Sequence, residues 1–306
     1  MSRRPPVGRA FVAVFVTVLS LLLMAQHTAA REICREGPQC RALFALERGL
    51  RLPLYRTHNL HKPAPGIRRA VILIHGYQRN AHRYFPRMTE AAEGADVADR
   101  TLVIAPSFPI REDDRPHRKP GEVYWKRNKN WRRGDKSIES PEGRMSSFKA
   151  VELLLRHLGR KGLFPNLEKI TVVGHSAGGQ FVQRLALGHA PIESLAQVRV
   201  RYEYGLDRLN GYMSAAGREK ILERARRREI VLLLGTADKD PGHIALPRKC
   251  GARLQGRHRL ERGLLFKAHL DRFFKPHETR AVLVPGVAHS SRGMFVSKEG
   301  RAEIFF

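Results

Sequence analysis

The stretch that most restricts what this chain can fold into is KITVVGHSAGGQ, residues 169–180. Ile170 to Val173 is a short β-branched run with the composition of a buried strand. A sharp turn follows at Gly174-His175-Ser176-Ala177-Gly178. Phe181, Val182, Leu185 and Leu187 then recur at helical spacing. The two glycines let the backbone fold tightly, so Ser176 stands exposed on a strained turn at the head of a helix. The start of that helix offers backbone N–H groups and the positive end of a dipole beside the hydroxyl. In a chain with 26 Gly the pentapeptide alone is weak evidence. The strand before it and the helix after it make it specific.

The flanking sequence alternates in kind. Residues 50–55 read as an early strand with Leu50, Leu52 and Leu54 on one face. Residues 70–74 are a continuous apolar run, as in a central parallel strand, and lead directly into His75-Gly76-Tyr77. Asn80 is placed to cap a helix reaching about Glu93, with Tyr84, Phe85 and Met88 on its apolar side. Residues 101–105 form the next strand. Ser146 or Ser147 caps a helix carrying Phe148, Val151, Leu154, Leu155 and Leu158, which Gly162 ends. Beyond the Ser176 turn, strands are expected at 198–204, 230–234 and 281–284, and helices at 215–228 and 260–277. Ile304-Phe305-Phe306 reads as a packed strand or tail end. Strand and helix in alternation imply a mostly parallel central sheet with helices on both faces. No internal repeat and no second domain boundary are visible, so residues 31–306 read as a single domain.

Residues 107–145 break this rhythm. They carry many charges, several Pro and Gly, and Tyr124, Trp125 and Trp131. They form a long loop or lid-like insertion. Basic residues between aromatics are similar to a nucleic-acid or sugar-binding surface. The other reading is a solvated loop that Trp125 and Trp131 pin to the body.

Ser176, Asp238 and His289 occur in that order, each just past the C-terminal end of an expected parallel strand. This is where open parallel sheets hold their sites. A serine hydroxyl needs a base to take its proton, and imidazole has a pKa suited to the task. A carboxylate then fixes the imidazole tautomer. Asp238 is preferred because it closely follows the 230–234 strand, with Asp240 and Asp207 as alternatives. Two donors are needed for an oxyanion. Ala177 N–H is one, and Tyr77 N–H, given room by Gly76, is the other. His175 reads as a packing or hydrogen-bonding neighbour of the serine, and His75 as structural.

The Ser-Asp-His order, the His75-Gly76 turn, the Gly174 to Gly178 elbow, and the loops at 235–238 and 286–289 resemble the α/β-hydrolase superfamily. The likeness runs from about residue 50 to the end and is strongest to exported esterase and depolymerase-like members. It implies an α/β-hydrolase fold and a serine hydrolase acting on a small-molecule or polymeric carboxylic ester. A peptidase or acyltransferase would use the same three residues. No metal, organic cofactor or specific protein partner is implied.

The net charge of +27 has two readings. One is attraction to nucleic acid, anionic lipid or acidic glycan, which makes a polyanion-binding protein on a hydrolase scaffold the alternative function. The other is a compositional bias towards Arg, favoured because the positive residues are scattered along the chain. At the N-terminus, Arg3, Arg4 and Arg9 precede an apolar run at 10–25 and the small residues Thr28-Ala29-Ala30. This reads as a signal peptide, residues 1–30, cleaved after Ala30, with export to the periplasm or medium. An uncleaved membrane anchor is the alternative. Cys34 and Cys40 are close enough to bridge in an oxidising compartment, which leaves Cys250 over. A bridge from Cys250 to either one remains open.

Overall fold

Strand β3 (Arg69–Ile74) lies at the centre of the molecule because nearly all of it is apolar, and residues 70–74 are buried on both faces. The computed structural model describes residues 33–113, 119–127, 131–138, 140–188, 198–199, 211–248, 250–253 and 255–306. The expected signal peptide, residues 1–30, lies outside them. Residues Cys34–Phe306 form one compact unit.

Around β3 runs a six-stranded sheet with the order β1-β2-β4-β3-β5-β6. Its members are β1 (Arg41–Ala45), β2 (Arg51–Arg56), β3, β4 (Thr101–Pro106), β5 (Lys169–Gly174) and β6 (Val198–Arg199). β3 pairs in parallel with β4 and β5, and β5 with β6. β2 runs antiparallel to both β1 and β4, so that edge is an antiparallel extension of the parallel centre. β7 (Ile230–Gly235) and β8 (Thr279–Val284) form a separate parallel pair among the described residues.

The helices are α1 (Ala81–Gly94), α2 (Ser147–Leu158), α3 (Ala177–Gly188), α4 (Gly211–Ala216), α5 (Arg218–Arg227), α6 (Cys250–Arg253), α7 (Arg259–Phe273), α8 (Ser291–Val296) and α9 (Lys298–Phe305). Side chains alternate across the sheet and build a core on each face. Ile72, Ile74, Leu102, Ile104, Ile170 and Val172 point to one face, where Phe148 and Leu154 of α2 and Phe181 and Leu185 of α3 meet them. Val71, Leu73, Val103 and Val173 point to the other, against Phe85 and Met88 of α1, Phe295 of α8 and Phe305 of α9.

Several sequence expectations need correction. β1 was not foreseen; its sequence RALFA has no β-branched residue. The expected 215–228 helix is two helices, broken at Gly217, whose φ of +78° no right-handed helix accommodates. The 260–277 helix begins at Arg259 and ends at Phe273, two residues before Lys275-Pro276. The helix expected to end at Gly162 stops at Leu158, with Gly159 as its C-cap. Asn80 holds the N-cap position of α1 without a side-chain cap bond. Ser146 does cap α2, accepting from Lys149 N–H. Ile304 and Phe305 end helix α9 rather than a strand. Of the expected 198–204 strand only β6 falls within the described residues.

The 107–145 stretch holds no α-helix among its described residues, only a 3-10 turn at Trp131–Arg133. Its tryptophans are interior: Trp125 is 0 % and Trp131 4 % exposed. Phe108 stacks on Trp131, with ring centroids 5.3 Å apart, and meets Trp125 edge-on. Trp125 Nε1 donates to Asp135 C=O at 2.8 Å. These rings anchor the loop and present no stacking face to a nucleic acid or sugar. Cys34 and Cys40 are bridged, with Cα atoms 5.5 Å apart.

Candidate active site

Register brings two loops side by side at the end of the central sheet. Ile74 of β3 pairs with Gly174 of β5. Three residues past each lie Tyr77 and Ala177. The Ser176 turn is tight enough that side chains are excluded on both sides. A Cβ on Gly174 would sit 2.2 Å from Gly178 C=O, and one on Gly178 would sit 2.1 Å from Ile74 C=O. Ser176 itself has φ +57°, a left-handed conformation that a non-glycine residue adopts only under constraint. A Cβ on Gly76 would meet the Tyr84 hydroxyl at 2.6 Å, so a larger residue there would displace that side chain. No hydrogen bond to the backbone N–H of Tyr77 or Ala177 is present among the described residues. Both N–H groups therefore remain available as donors.

A second pair of loops closes from the other sheet. β7 and β8 run in register to Gly235 and Val284. Beyond them, Thr236 N–H donates to Val284 C=O, Ala237 N–H to Val287 C=O, and Gly286 N–H to Thr236 Oγ1, at 2.8–3.0 Å. A Cβ on Gly235 would lie 2.3 Å from Val287 C=O, so the two loops touch backbone to backbone. Asp238 and His289 emerge from this zipped seam with Asp238 Oδ2 2.9 Å from His289 Nδ1. Their side chains are 13 % and 16 % exposed.

The charge state of the pair follows from its surroundings. Burial works to raise the Asp238 carboxyl. The His289 hydrogen bond and charge, with the Arg259 guanidinium, outweigh it and hold Asp238 below the usual carboxylate range. Arg259 donates to Asp238 Oδ1 at 3.4 Å and to His243 Nδ1 at 3.1 Å. An ionised Asp238 can only accept, so His289 Nδ1 supplies the hydrogen of this bond.

Ser176, Asp238 and His289 line one cavity of about 120 Å³. Ser176 and His289 also line a wider one of about 1040 Å³, together with Gly76, Tyr77 and Ala177. Gly174 and His175 border these cavities as well, and Gly178 borders neither. Asp240, the alternative acid, is exposed and accepts from Gly242 N–H in a turn. Asp207 lies outside the described residues.

The two histidines read as structural are buried in their roles. His75 is 0 % exposed; its Nε2 accepts from Phe108 N–H at 3.0 Å, so Nδ1 carries the proton and donates to Gly76 C=O. Burial, reinforced by the nearby Arg79 charge, lowers its pKa to about 4. His175 stacks at 4.6 Å from the His289 ring and is hydrogen-bonded to Tyr84 Oη at 3.0 Å. Burial first, then the His289 charge, lowers it to about 3. Both are neutral near pH 7. Sequence reasoning missed Arg259, Tyr84 and His243. Tyr84 reads from the sequence as a core residue of α1, His243 lies in the loop just past Asp238 and Arg259 stands 21 residues beyond it, and no local pattern marks any of them as part of the site.

No family model and no curated relative matches this sequence. Solved structures do match by fold. The poly(aspartic acid) hydrolase-1 from Sphingomonas sp. KT-1 is 21 % identical, with a TM-score of 0.63 over 87 % of this chain and 98 % of that one. The LpqC poly(3-hydroxybutyrate) depolymerase from Bordetella parapertussis is 19 % identical, with a TM-score of 0.59 over 86 % of this chain and 93 % of that one. At this identity the likeness is one of fold: the parallel centre, the antiparallel edge and the helices on both faces are those of the α/β-hydrolase fold.

Proposed function

We propose that the chain is an exported serine hydrolase that cleaves carboxylic esters through an acyl-enzyme. Ser176 Oγ attacks the ester carbonyl carbon while His289 Nε2 takes its proton. The carbonyl π electrons move onto oxygen, and the N–H groups of Tyr77 and Ala177 receive that oxyanion. Asp238 holds the resulting imidazolium in place. When the intermediate collapses, the C–O bond breaks and His289 protonates the departing alcohol. Water then repeats the sequence on the acyl-serine and releases the acid. The two solved neighbours named above are, by their names, hydrolytic enzymes acting on polymers, which agrees with this reaction class.

The observation that carries this reading is the 2.9 Å Asp238–His289 contact beside a serine on a strained turn, in one cavity. The export reading draws support from the Cys34–Cys40 bridge, which persists in oxidising compartments. Turnover of p-nitrophenyl esters by wild type, lost in Ser176→Ala, is the expected result. A folded wild-type protein with no turnover on any chain length would contradict it. Salt-dependent binding of heparin or DNA by wild type and Ser176→Ala alike, without turnover, would put polyanion binding in its place.

A further inference from the structure

The wide cavity beside Ser176 is walled by one sign of charge. Arg83 and Arg87 of α1, Arg132, Arg259 and Arg292 all line it, and no Asp or Glu does so among the described residues. These arginines come from four separate segments of the chain, so the fold collects them. Four of the five have assigned contacts, three of them outside α1. Arg259 holds Asp238, Arg292 pairs with Glu90, and Arg132 lies over the Tyr77 ring at 5.5 Å.

Arg83 and Arg87 differ from these. They stand four residues apart, on one face of α1. Arg87 donates to Ser291 Oγ at 2.6 Å and lies over the Tyr84 ring, and Arg83 is exposed. Neither has a carboxylate partner among the described residues. Two like charges at this spacing repel each other when the cavity is empty, and an anion relieves that cost. The same cavity also carries an apolar stretch, Ile244 to Pro247, so it can take a hydrocarbon segment while the arginines take a charge.

Resting on the hydrolase reading above, we propose that the substrate is an acidic ester. A free carboxylate a few bonds from the scissile group docks against Arg83 and Arg87 while Ser176 attacks. The net charge of +27 supplies the competing explanation, a diffuse attraction with no dedicated residues, so the test must separate local from global charge.

The purified protein would be assayed on p-nitrophenyl adipate, which carries a free carboxylate, and on neutral p-nitrophenyl hexanoate, at low and high NaCl. The proposal predicts a kcat/KM ratio favouring adipate by about tenfold at low salt and shrinking as salt rises. Arg83→Gln lowers that ratio several-fold, and Arg226→Gln, on α5 away from the cavity, leaves it at the wild-type value. A ratio near one with good hexanoate turnover overturns the anion site and leaves the hydrolase reading standing. An equal drop in Arg83→Gln and Arg226→Gln assigns the preference to overall charge and also overturns it. No turnover of either ester by folded protein removes both readings.

Discussion

The Ser176 turn and the Asp238–His289 pair reach the same cavity by different routes. The turn is made of five consecutive residues. Its shape is dictated by two glycines whose Cβ positions are already filled by backbone oxygen. The pair joins residues 51 apart in sequence, held by backbone bonds between two loops that only adjacent strands β7 and β8 align. One half is local geometry and the other is tertiary geometry. Errors in the first should therefore damage the fold as well as the chemistry, and errors in the second should damage the chemistry alone.

Asp238→Asn tests the tertiary half and carries the largest expected effect. The amide keeps the shape but cannot hold the Nδ1–H tautomer or stabilise the imidazolium. Ester turnover falls about a thousandfold or more while the melting temperature stays within a few degrees. Steady-state kinetics with a thermal melt reads both, and a small kinetic loss would remove Asp238 from its role.

Gly178→Ala tests the local half. Its Cβ would overlap Ile74 C=O, so the strand end and the turn must move apart, costing about 4 kcal/mol. Denaturant unfolding checks this. A variant as stable as wild type would mean that the turn is not as tight as described.

A smaller, pH-dependent effect sharpens the same contrast. His75 supports the local half, and its folded pKa of about 4 lies below the ordinary 6.5. Between these values the unfolded chain binds a proton that the folded one refuses. Its contribution is therefore complete above about pH 6.5 and is lost as pH falls towards 4, amounting to roughly 3 kcal/mol. Melting curves from pH 8 to 4 should show this slope, and His75→Gln should flatten it. An unchanged slope in the variant would assign the acid sensitivity to other groups.

The same division explains what could be read from the sequence. The Ser176 turn was legible because its cause is contiguous: apolar strand, two glycines at fixed spacing, helical repeat. The β3, β4, β5 and β7 strands were legible because burial on both faces leaves a continuous apolar run. Asp238 could be preferred over Asp240 only by position, and the reason it faces His289 lies in the seam between two loops. Arg259, which helps keep Asp238 ionised, sits 21 residues further on at the start of a helix, with no local mark. The split between α4 and α5 turned on one glycine whose positive φ composition does not reveal. The aromatic–basic mixture at 107–145 suggested an exposed binding face. Burial of Trp125 and Trp131 against Phe108 decided otherwise, and burial is a property of the fold.

The most direct test of the central claim is covalent. Wild type and Ser176→Ala would be treated with a fluorophosphonate, and the modified residue located by peptide mass mapping. A single adduct on Ser176 in wild type, absent from Ser176→Ala and formed far more slowly in Asp238→Asn, is the predicted result. No adduct in folded wild type, or one on a different residue, would contradict the assignment of Ser176 as the nucleophile.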